Sequence, residues 1–242
     1  LIKWWLIKCY SLGDVIITPT NYSKKLLSNY KGLENKKIYV ISNGVELDYF
    51  KKDKKLGEEF RKSYGYSKND KVIIGIGLYI ERKGIVDFVE LARRMPEYKF
   101  IWFGHSPLAA ATKKVRQAVN TKLDNLVFAG HVDRSVIRGA LNGCDLYLFP
   151  TFEETEGIPI IEACACETNS IIRDIPIFKE DFVDGVNIYK AKNVDDFEIK
   201  IKKFLNNELP PLTGNNKKLL SERNQREVGK KLKRVYEEVM KL

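Results

Sequence analysis

The sequence has few histidines and cysteines. Its 242 residues include 2 His and 4 Cys, so a histidine-rich metal centre is excluded and a disulfide framework is not expected. The cysteines lie in apolar surroundings, and Cys164 and Cys166 form a C-x-C pair instead of the C-x-x-C of zinc or redox motifs. We therefore interpret the cysteines as reduced core thiols of a cytosolic protein.

Long hydrophobic runs are also lacking, because no apolar stretch approaches the roughly 18 to 20 residues that a membrane-spanning helix needs. Residues 1–10 are apolar but carry Lys3 and Lys8 and have no cleavage-site pattern, which argues against a signal peptide. Trp4 and Trp5 beside these lysines allow a membrane-surface element, but a short packed helix is the favoured interpretation. The sequence does not begin with Met, and we expect it to be part of a longer protein.

Positive charge is in excess, with 42 Lys and Arg against 32 Asp and Glu and a formal net charge of +10. Such a balance points to nucleic acid, an anionic membrane surface or phosphorylated ligands. A solvated, lysine-rich surface explains the composition equally well. Glutamates alternate with the lysines of segment 218–242, and most aromatic residues fall within predicted strands, which argues against a nucleic-acid-binding stripe.

Apolar runs alternate with amphipathic segments from Asp70 onward. Strands are predicted at 72–78, 99–103, 126–129, 146–149 and 170–172, with a weak one at 187–190. Helices are predicted between them at 85–94, 108–122, 134–142, 158–166 and 194–206. This alternation, with continuous apolar strands, predicts an α/β fold with a doubly wound parallel sheet.

The two ends of the chain have a different pattern. Before Asp70 the sequence predicts strands at 14–19 and 38–42 and helices at 22–30 and 56–64. At the other end, a long charged helix is predicted at 218–242. Ligands of doubly wound sheets bind beyond the carboxyl ends of the strands. The loops 79–84, 104–107, 130–133 and 151–157 are therefore expected to line one edge of the sheet.

An acidic loop and a helix start follow the strand at 146–149, in the sequence F-P-T-F-E-E-T-E-G-I-P-I-I-E-A-C-A-C-E. Glu154 lies in the loop, and Glu162 follows eight positions later on an apolar helix face. The helix start between them offers free N–H groups and a favourable dipole to a phosphate. Glu162 needs a hydrogen-bond donor, either a ligand hydroxyl such as a ribose diol or a protein cation.

A second loop at the same edge carries Glu81-Arg82-Lys83-Gly84. The preceding Gly75-Ile76-Gly77 is not a dinucleotide fingerprint, because Ile80 stands where the third glycine is needed. Arg82 and Lys83 beside a helix start would make a diphosphate clamp. Two solvated loop cations are the alternative.

Other kinds of chemistry find little support. Glu153, Glu154 and Glu156 could hold a hard cation, but no further acids converge on them, so no metal or other cofactor is predicted. His105 and His131 each follow a glycine at a strand end, where a turn and a ligand contact both remain open. The Ser, His and acidic residues show no nucleophile spacing, which argues against a serine hydrolase.

On these motifs, the sequence resembles the retaining GT-B glycosyltransferases of family 4 (glycosyl transferases group 1). Within them it resembles the bacterial branch that adds hexoses to diacylglycerol or glycosyl-diacylglycerol. D-V-I-I-T-P-T-N-Y-S-K-K-L-L at 14–27 is similar to the closing strand and helix of the family's N-terminal domain, and I-S-N-G-V-E at 41–46 to its crossing between domains. R-K-G at 82–84 is similar to its diphosphate loop, and E-E-T-E-G-I-P-I-I-E at 153–162 to its E-x7-E motif, in the form of the lipid-directed branch.

The resemblance implies the C-terminal half of a GT-B fold, with a Rossmann-like nucleotide-sugar-binding domain and C-terminal helix at 46–242. Residues 1–45 would be the tail of an acceptor-side N-terminal domain, plus the interdomain linker. Because the family takes its acceptor contacts largely from that domain, this chain alone is expected to be inactive. The remainder of that domain is an expected partner.

The resemblance also implies the roles of individual residues. Glu154 would contact hydroxyls of the donor sugar, while Arg82 and Lys83 would neutralise the leaving diphosphate, and these three are the implied catalytic residues. Leu78 stands where many family members have Arg, and Arg82 is expected to take its place. Glu162 would contact the ribose. Further donor contacts are implied for Thr155, Glu156, Gly157, Ile158, Gly77, Gly104, His105 and His131.

The implied function is transfer of a hexose from a nucleotide sugar, UDP-glucose or UDP-galactose, to a diacylglycerol-type glycolipid with retention. No cofactor or metal and no nucleic-acid partner is expected. The positive charge suits a cytoplasmic protein bound peripherally to the inner face of the plasma membrane. Two alternatives remain: a polysaccharide or protein glycosyltransferase of the same family, and a non-catalytic nucleotide- or nucleic-acid-binding module.

Overall fold

A computed structural model describes residues 2–241 of the chain. The first part contains α1 (Ile2–Leu12), β1 (Ile16–Thr18), α2 (Asn21–Ser28), β2 (Ile38–Val40) and α3 (Lys54–Ser63). The middle part contains β3 (Val72–Ile76), α4 (Ile85–Arg94), β4 (Lys99–Phe103), α5 (Lys113–Val119), β5 (Leu126–Gly130), α6 (Arg134–Gly143) and β6 (Leu146–Phe149). The last part contains α7 (Ile158–Ala165), β7 (Ser170–Arg173), β8 (Tyr189–Ala191), α8 (Val194–Leu205), α9 (Lys217–Glu222) and α10 (Gln225–Val239).

Six parallel strands form the main sheet, in the order β5-β4-β3-β6-β7-β8. The strand order reverses between β3 and β6, which is the topological switch point of a doubly wound fold. Helices α4 and α8 pack on one face of the sheet, and α3, α6 and α7 pack on the other. The expected α/β fold is confirmed. Its central strands are almost fully buried because helices cover both faces.

A second, two-stranded parallel sheet is formed by β1 and β2. The last helix, α10, returns to this unit and buries Val228 and Val235 against Ile41. The chain thus crosses twice from one sheet unit to the other, once between β2 and α3 and once between α9 and α10.

The predicted single helix at 218–242 is wrong, because the chain breaks between α9 and α10. At the break, Val45 N–H donates to the Arg223 carbonyl at 2.8 Å, and Gln225 N–H donates to the Val45 carbonyl at 3.1 Å. The Asn224 side chain caps α10 by accepting from Arg226 N–H at 2.9 Å. At residues 223 and 225, hydrogen bonds to the segment that follows β2 therefore replace those of a continuous helix.

Most other predicted elements are present, with α4 and β4 at their predicted bounds. The predicted helix at 108–122 is shorter and begins at Lys113. Its N-cap is Thr112, whose hydroxyl accepts from Val115 N–H at 3.4 Å. A short 3₁₀ turn at Leu108–Ala110 precedes it.

Helix α1 presents apolar residues to solvent. None of its described residues is buried, and Trp4 and Trp5 are 58% and 55% exposed. Ile7 packs against the small core formed by Ile16, Leu33 and Ile38, so the interpretation of this segment as a packed helix holds for that residue, while most of the helix surface is exposed. Cys9 on this helix is exposed as well, whereas Cys164 and Cys166 are buried as expected. Among residues 2–241, no helix is both long and apolar enough to cross a membrane.

Helices α3 and α6 meet backbone to backbone through two glycines. A Cβ atom at Gly57 would lie 2.4 Å from the Asn142 carbonyl oxygen, and one at Gly143 would lie 2.5 Å from the Gly57 carbonyl oxygen. These distances are far below van der Waals contact, so neither position has room for a side chain.

We expect Gly57→Ala to lower the free energy of unfolding by about 1 to 3 kcal/mol, because the helices must separate to admit the methyl group. Gly229→Ala in α10 is the matched control, since a Cβ there meets nothing within 4 Å. That change should leave the stability unchanged or raise it by up to about 1 kcal/mol. Urea unfolding measures both; equal effects of the two substitutions would contradict the close α3–α6 contact.

Candidate functional site

Two loops meet at the switch point of the main sheet, one after β3 and one after β6. The Phe152 N–H and the Thr151 hydroxyl both donate to the Arg82 carbonyl, at 2.8 and 3.0 Å. Gly84 adopts φ 76°, and a Cβ there would lie 2.2 Å from the Pro150 carbonyl oxygen. The turn at residues 81–84 is therefore packed directly on the loop at residues 151–157.

The three implied catalytic residues come together at this contact. Lys83 Nζ lies 2.5 Å from Glu154 Oε1, and the Thr151 hydroxyl lies 3.0 Å from the same oxygen. Arg82 Nη1 donates to the Glu153 carbonyl at 2.5 Å and lies 3.8 Å from Glu154 Oε2. The Glu154 side chain is only 8% exposed, so its charge is compensated by these neighbours.

The acidic loop ends at the start of α7. Gly157 adopts φ 83°, which is left-handed backbone that favours glycine, and it is followed by Ile158 and by Pro159, which has no N–H. Within residues 2–241, the N–H groups of Glu156, Gly157 and Ile158 have no hydrogen-bond acceptor in the protein. Such unpaired N–H groups at a helix start can bind an anion.

The Glu156 side chain points into the protein interior, with 1% exposure. Its Oε2 accepts from Asn43 twice, from the backbone N–H at 2.9 Å and from the side-chain amide at 2.7 Å, and Arg223 Nε lies 3.6 Å from its Oε1. Asn43 and Arg223 belong to the two segments that connect the sheets. The side chain of Glu156 thus anchors the loop to both connections, and only its backbone N–H is left for the implied donor contact.

Glu162 lies on α7 beside Arg134 at the start of α6. Arg134 Nη2 lies 3.5 Å from Glu162 Oε1, and Arg134 Nη1 lies 3.3 Å from Glu46 Oε2. Burial raises the pKa of Glu162 to about 7, although Arg134 acts in the opposite direction. The protein cation that the sequence allowed as a partner of Glu162 is therefore present as Arg134. Because the Arg134 side chain is 54% exposed, a ligand hydroxyl could take its place.

The glycines and histidines of the candidate site lie at the ends of β3, β4 and β5. Gly77 and Gly104 are in close contact, because a Cβ at Gly104 would lie 2.2 Å from the Gly77 carbonyl oxygen. His105 packs edge-on against Tyr79 at 5.3 Å between ring centroids. His131 is exposed on the loop after β5, the outermost strand on this side. The histidines therefore lie on loops farther from the switch point than the glutamates.

A cavity of about 680 Å³ lies between α1, α2 and β1, next to the acidic loop. Its walls are mainly apolar, and Thr155 is at its edge. The Thr20 hydroxyl donates to the Thr155 carbonyl at 3.4 Å, which links the loop to the β1–β2 unit. No group of three or more His, Cys, Asp or Glu residues that could hold a metal ion occurs in the described part of the chain.

Sequence reasoning missed several residues that shape this site: Thr151, Asn43, Arg134 and Arg223. Thr151 lies in a loop at the predicted sheet edge and Arg134 directly follows one, so their positions were an available signal. Asn43 and Arg223 act through contacts with Glu156 that are distant in sequence, for which the sequence offers no local pattern.

Two family profiles match the chain. Residues 57–226 match the family described as Glycosyl transferases group 1, and residues 1–49 match Glycosyltransferase Family 4. The two matches leave residues 50–56 between them, which cover the end of the connection from β2 and the first residues of α3.

Named relatives and a solved structure agree with these matches. The chain is 38% identical to the processive diacylglycerol alpha-glucosyltransferase of Acholeplasma laidlawii, over 96% of this chain and 70% of that protein. It is 30% identical to the alpha-galactosylglucosyldiacylglycerol synthase of Streptococcus pneumoniae, over 74% of this chain and 49% of that protein. The structure of Anabaena HepE in complex with UDP and glucose superposes with a TM-score of 0.81 at 16% identity, over 99% of this chain and 67% of that chain, which shows the shared GT-B fold.

We expect Glu162→Gln to stabilise the protein at pH 8 by roughly 3 kcal/mol relative to its effect at pH 4.5, since one pKa unit corresponds to about 1.4 kcal/mol. The pKa of Glu162 is raised from 4.5 to about 7. Its contribution to stability is therefore present below pH 4.5 and is lost as the pH rises through about 7. Urea unfolding of both proteins between pH 4.5 and 8 measures the difference, and a pH-independent difference would contradict the burial of this carboxyl group.

Proposed function

The chain belongs to the glycosyl transferases group 1 family, and from this premise we propose that it forms the donor-binding part of a retaining hexosyltransferase. It is a glycosyltransferase with the GT-B fold, and it is homologous to diacylglycerol glucosyltransferases. The proposed donor is UDP-glucose or UDP-galactose, and the proposed acceptor is a diacylglycerol-type lipid. The observation that carries this proposal is the pairing of Lys83 with Glu154 next to the unpaired N–H groups at the start of α7.

The proposed diphosphate position lies between Arg82, Lys83 and the start of α7. A forked guanidinium and a compact ammonium supply complementary donors to phosphate oxygens, and the helix start adds N–H groups and a favourable dipole. These groups would stabilise the negative charge that develops on the diphosphate as it leaves. None of this requires a metal ion, and we retain the proposal that no cofactor takes part.

Binding of the donor would exchange partners within the site. A diphosphate that contacts Lys83 competes with Glu154 for the same ammonium group, which frees the carboxylate to accept from hydroxyls of the donor sugar. At the proposed nucleoside end of the site, a ribose diol would replace Arg134 as the hydrogen-bond donor to Glu162.

In the proposed reaction, the bond between C1 of the hexose and the diphosphate oxygen breaks, and its electron pair remains on the diphosphate. The acceptor hydroxyl oxygen forms the new bond to C1 on the same face. Its proton passes to the departing diphosphate. The residues of this chain would orient the sugar and stabilise charge.

Three observations support a lipid acceptor over a polysaccharide or a protein. The relatives from Acholeplasma and Streptococcus carry diacylglycerol in their names. The 680 Å³ cavity beside Thr155 has mainly apolar walls, which suit acyl chains better than a soluble glycan. The net charge of +10 favours peripheral binding to an anionic membrane surface, which we propose as the site of action.

Calorimetric titration with UDP, UDP-glucose and UDP-galactose tests the donor site. We expect the chain to bind all three nucleotides and Glu162→Ala to weaken binding about tenfold, because a ribose hydrogen bond to the carboxyl group is lost. Glu153→Ala is the matched control, since that side chain is exposed in the same loop. No binding of any of the three uridine nucleotides, or an equal loss of affinity in the two variants, would contradict the proposal.

Transfer of radiolabelled hexose to lipid tests the acceptor. The assay uses the full-length protein, because this chain alone is expected to be inactive. With UDP-glucose or UDP-galactose as donor, we expect label to enter diacylglycerol in vesicles, more with anionic lipid present and less as salt rises. Glu154→Gln should abolish this transfer with little change in melting temperature. Labelling of a soluble polysaccharide or protein in place of lipid would favour the same-family alternative.

A further inference from the structure

Arg173 is a buried arginine at the end of β7 that none of the assignments above includes. Its side chain is only 6% exposed. Nε donates to the Pro150 carbonyl at 2.9 Å, Nη1 donates to the Lys192 carbonyl at 2.8 Å, and Nη2 pairs with the Asp87 carboxylate. All three nitrogens of the guanidinium group are therefore engaged.

These contacts reach the acidic loop and the helix that follows the turn at residues 81–84. Pro150 opens the acidic loop directly after β6, and the Phe152 ring stacks on the guanidinium group with 3.8 Å from its central carbon to the ring centroid. Asp87 lies in the first turn of α4, three positions after Gly84. Arg173 thus contacts the loop that carries Glu154 and the helix that directly follows the turn carrying Lys83.

Stability alone does not explain such an arrangement. Burying an arginine and an aspartate costs desolvation energy, and replacing a buried ion pair by apolar residues of similar volume is often neutral or stabilising. The arginine instead fixes a geometry, because its planar guanidinium group holds several acceptors and an aromatic ring in set positions.

We propose that Arg173 is a positioning residue for the donor site. It holds the loop at residues 151–157 against the turn at 81–84, so that Lys83 and Glu154 meet the diphosphate and the sugar in one fixed arrangement. The effect on nucleotide binding rests on the proposed function, whereas the positioning of the loops can be measured without nucleotide.

Arg61 provides a matched control at the opposite edge of the sheet. Its side chain is 18% exposed, and it donates to the Gly143 and Ser67 carbonyls at 2.9 and 2.7 Å and pairs with Asp145 at 3.2 Å. Arg61 is thus partly buried and multiply bonded like Arg173. Asp145 immediately precedes β6, so these contacts lie at the amino ends of the strands, away from both donor loops.

The experiment compares Arg173→Lys with Arg61→Lys, using two readouts in the 242-residue chain. The first is UDP affinity by calorimetry, which we expect to fall about tenfold in Arg173→Lys because a small misplacement of binding groups is costly. The second is NMR-detected exchange of the Phe152 amide hydrogen without nucleotide, since this N–H donates to the Arg82 carbonyl across the two loops. We expect faster exchange in Arg173→Lys and parent values of both quantities in Arg61→Lys.

A double substitution separates positioning from stability. Arg173→Met combined with Asp87→Leu removes the buried charges together, and we expect it to recover most of the stability that Arg173→Met alone loses. UDP affinity should stay low in both. Recovery of UDP affinity together with stability would overturn the proposal, as would unchanged Phe152 exchange in Arg173→Lys or equal effects of the two lysine variants. If the parent chain does not bind UDP, the proposed function fails, and the exchange measurement alone decides the positioning role.

Discussion

The proposed donor site depends on one backbone carbonyl, that of Arg82, which accepts from both Phe152 N–H and the Thr151 hydroxyl. These partners lie about 70 positions apart in the sequence, on the two loops that flank the reversal in strand order. Because Gly84 has no side chain, the first loop can lie directly on the Pro150 carbonyl. The same contact places Lys83 beside Glu154, so the ion pair at the switch point lies where hydrogen bonds to a main-chain carbonyl hold the two loops together.

The acids of the site fall into two kinds. Glu154 and Glu162 are each paired with a cation on a neighbouring element that a ligand could replace, and Arg134 remains largely open to solvent. Glu156 is instead fixed in the interior by Asn43 and approached by Arg223. A buried carboxylate must have partners in the free protein as well as in the complex. Exchangeable partners meet this need at the binding positions, while permanent partners secure the loop to the two segments that connect the sheets.

Local sequence pattern was sufficient for most of the main sheet. Helix α4 and strand β4 have their predicted bounds because an amphipathic or apolar run decides such elements within a few residues. The same pattern failed at 218–242, where the chain breaks after α9. There the backbone of Val45 accepts from Gln225 N–H and donates to the Arg223 carbonyl. It also did not decide how much of α1 is covered, because the burial of an apolar helix depends on what lies beside it and not on its own periodicity.

The sequence by itself determined the doubly wound fold and the edge on which the functional loops lie. Strand–helix alternation makes the strands parallel, and parallel strands place their carboxyl ends together. The motifs around Arg82 and Glu154 could therefore be assigned to one site without coordinates. Only the tertiary structure decided which residues meet there: the pairing of Lys83 with Glu154, of Arg134 with Glu162 and of Arg173 with Asp87. Each pair joins different elements of the fold, and the free energy that selects it comes from burial and geometry that no local pattern encodes.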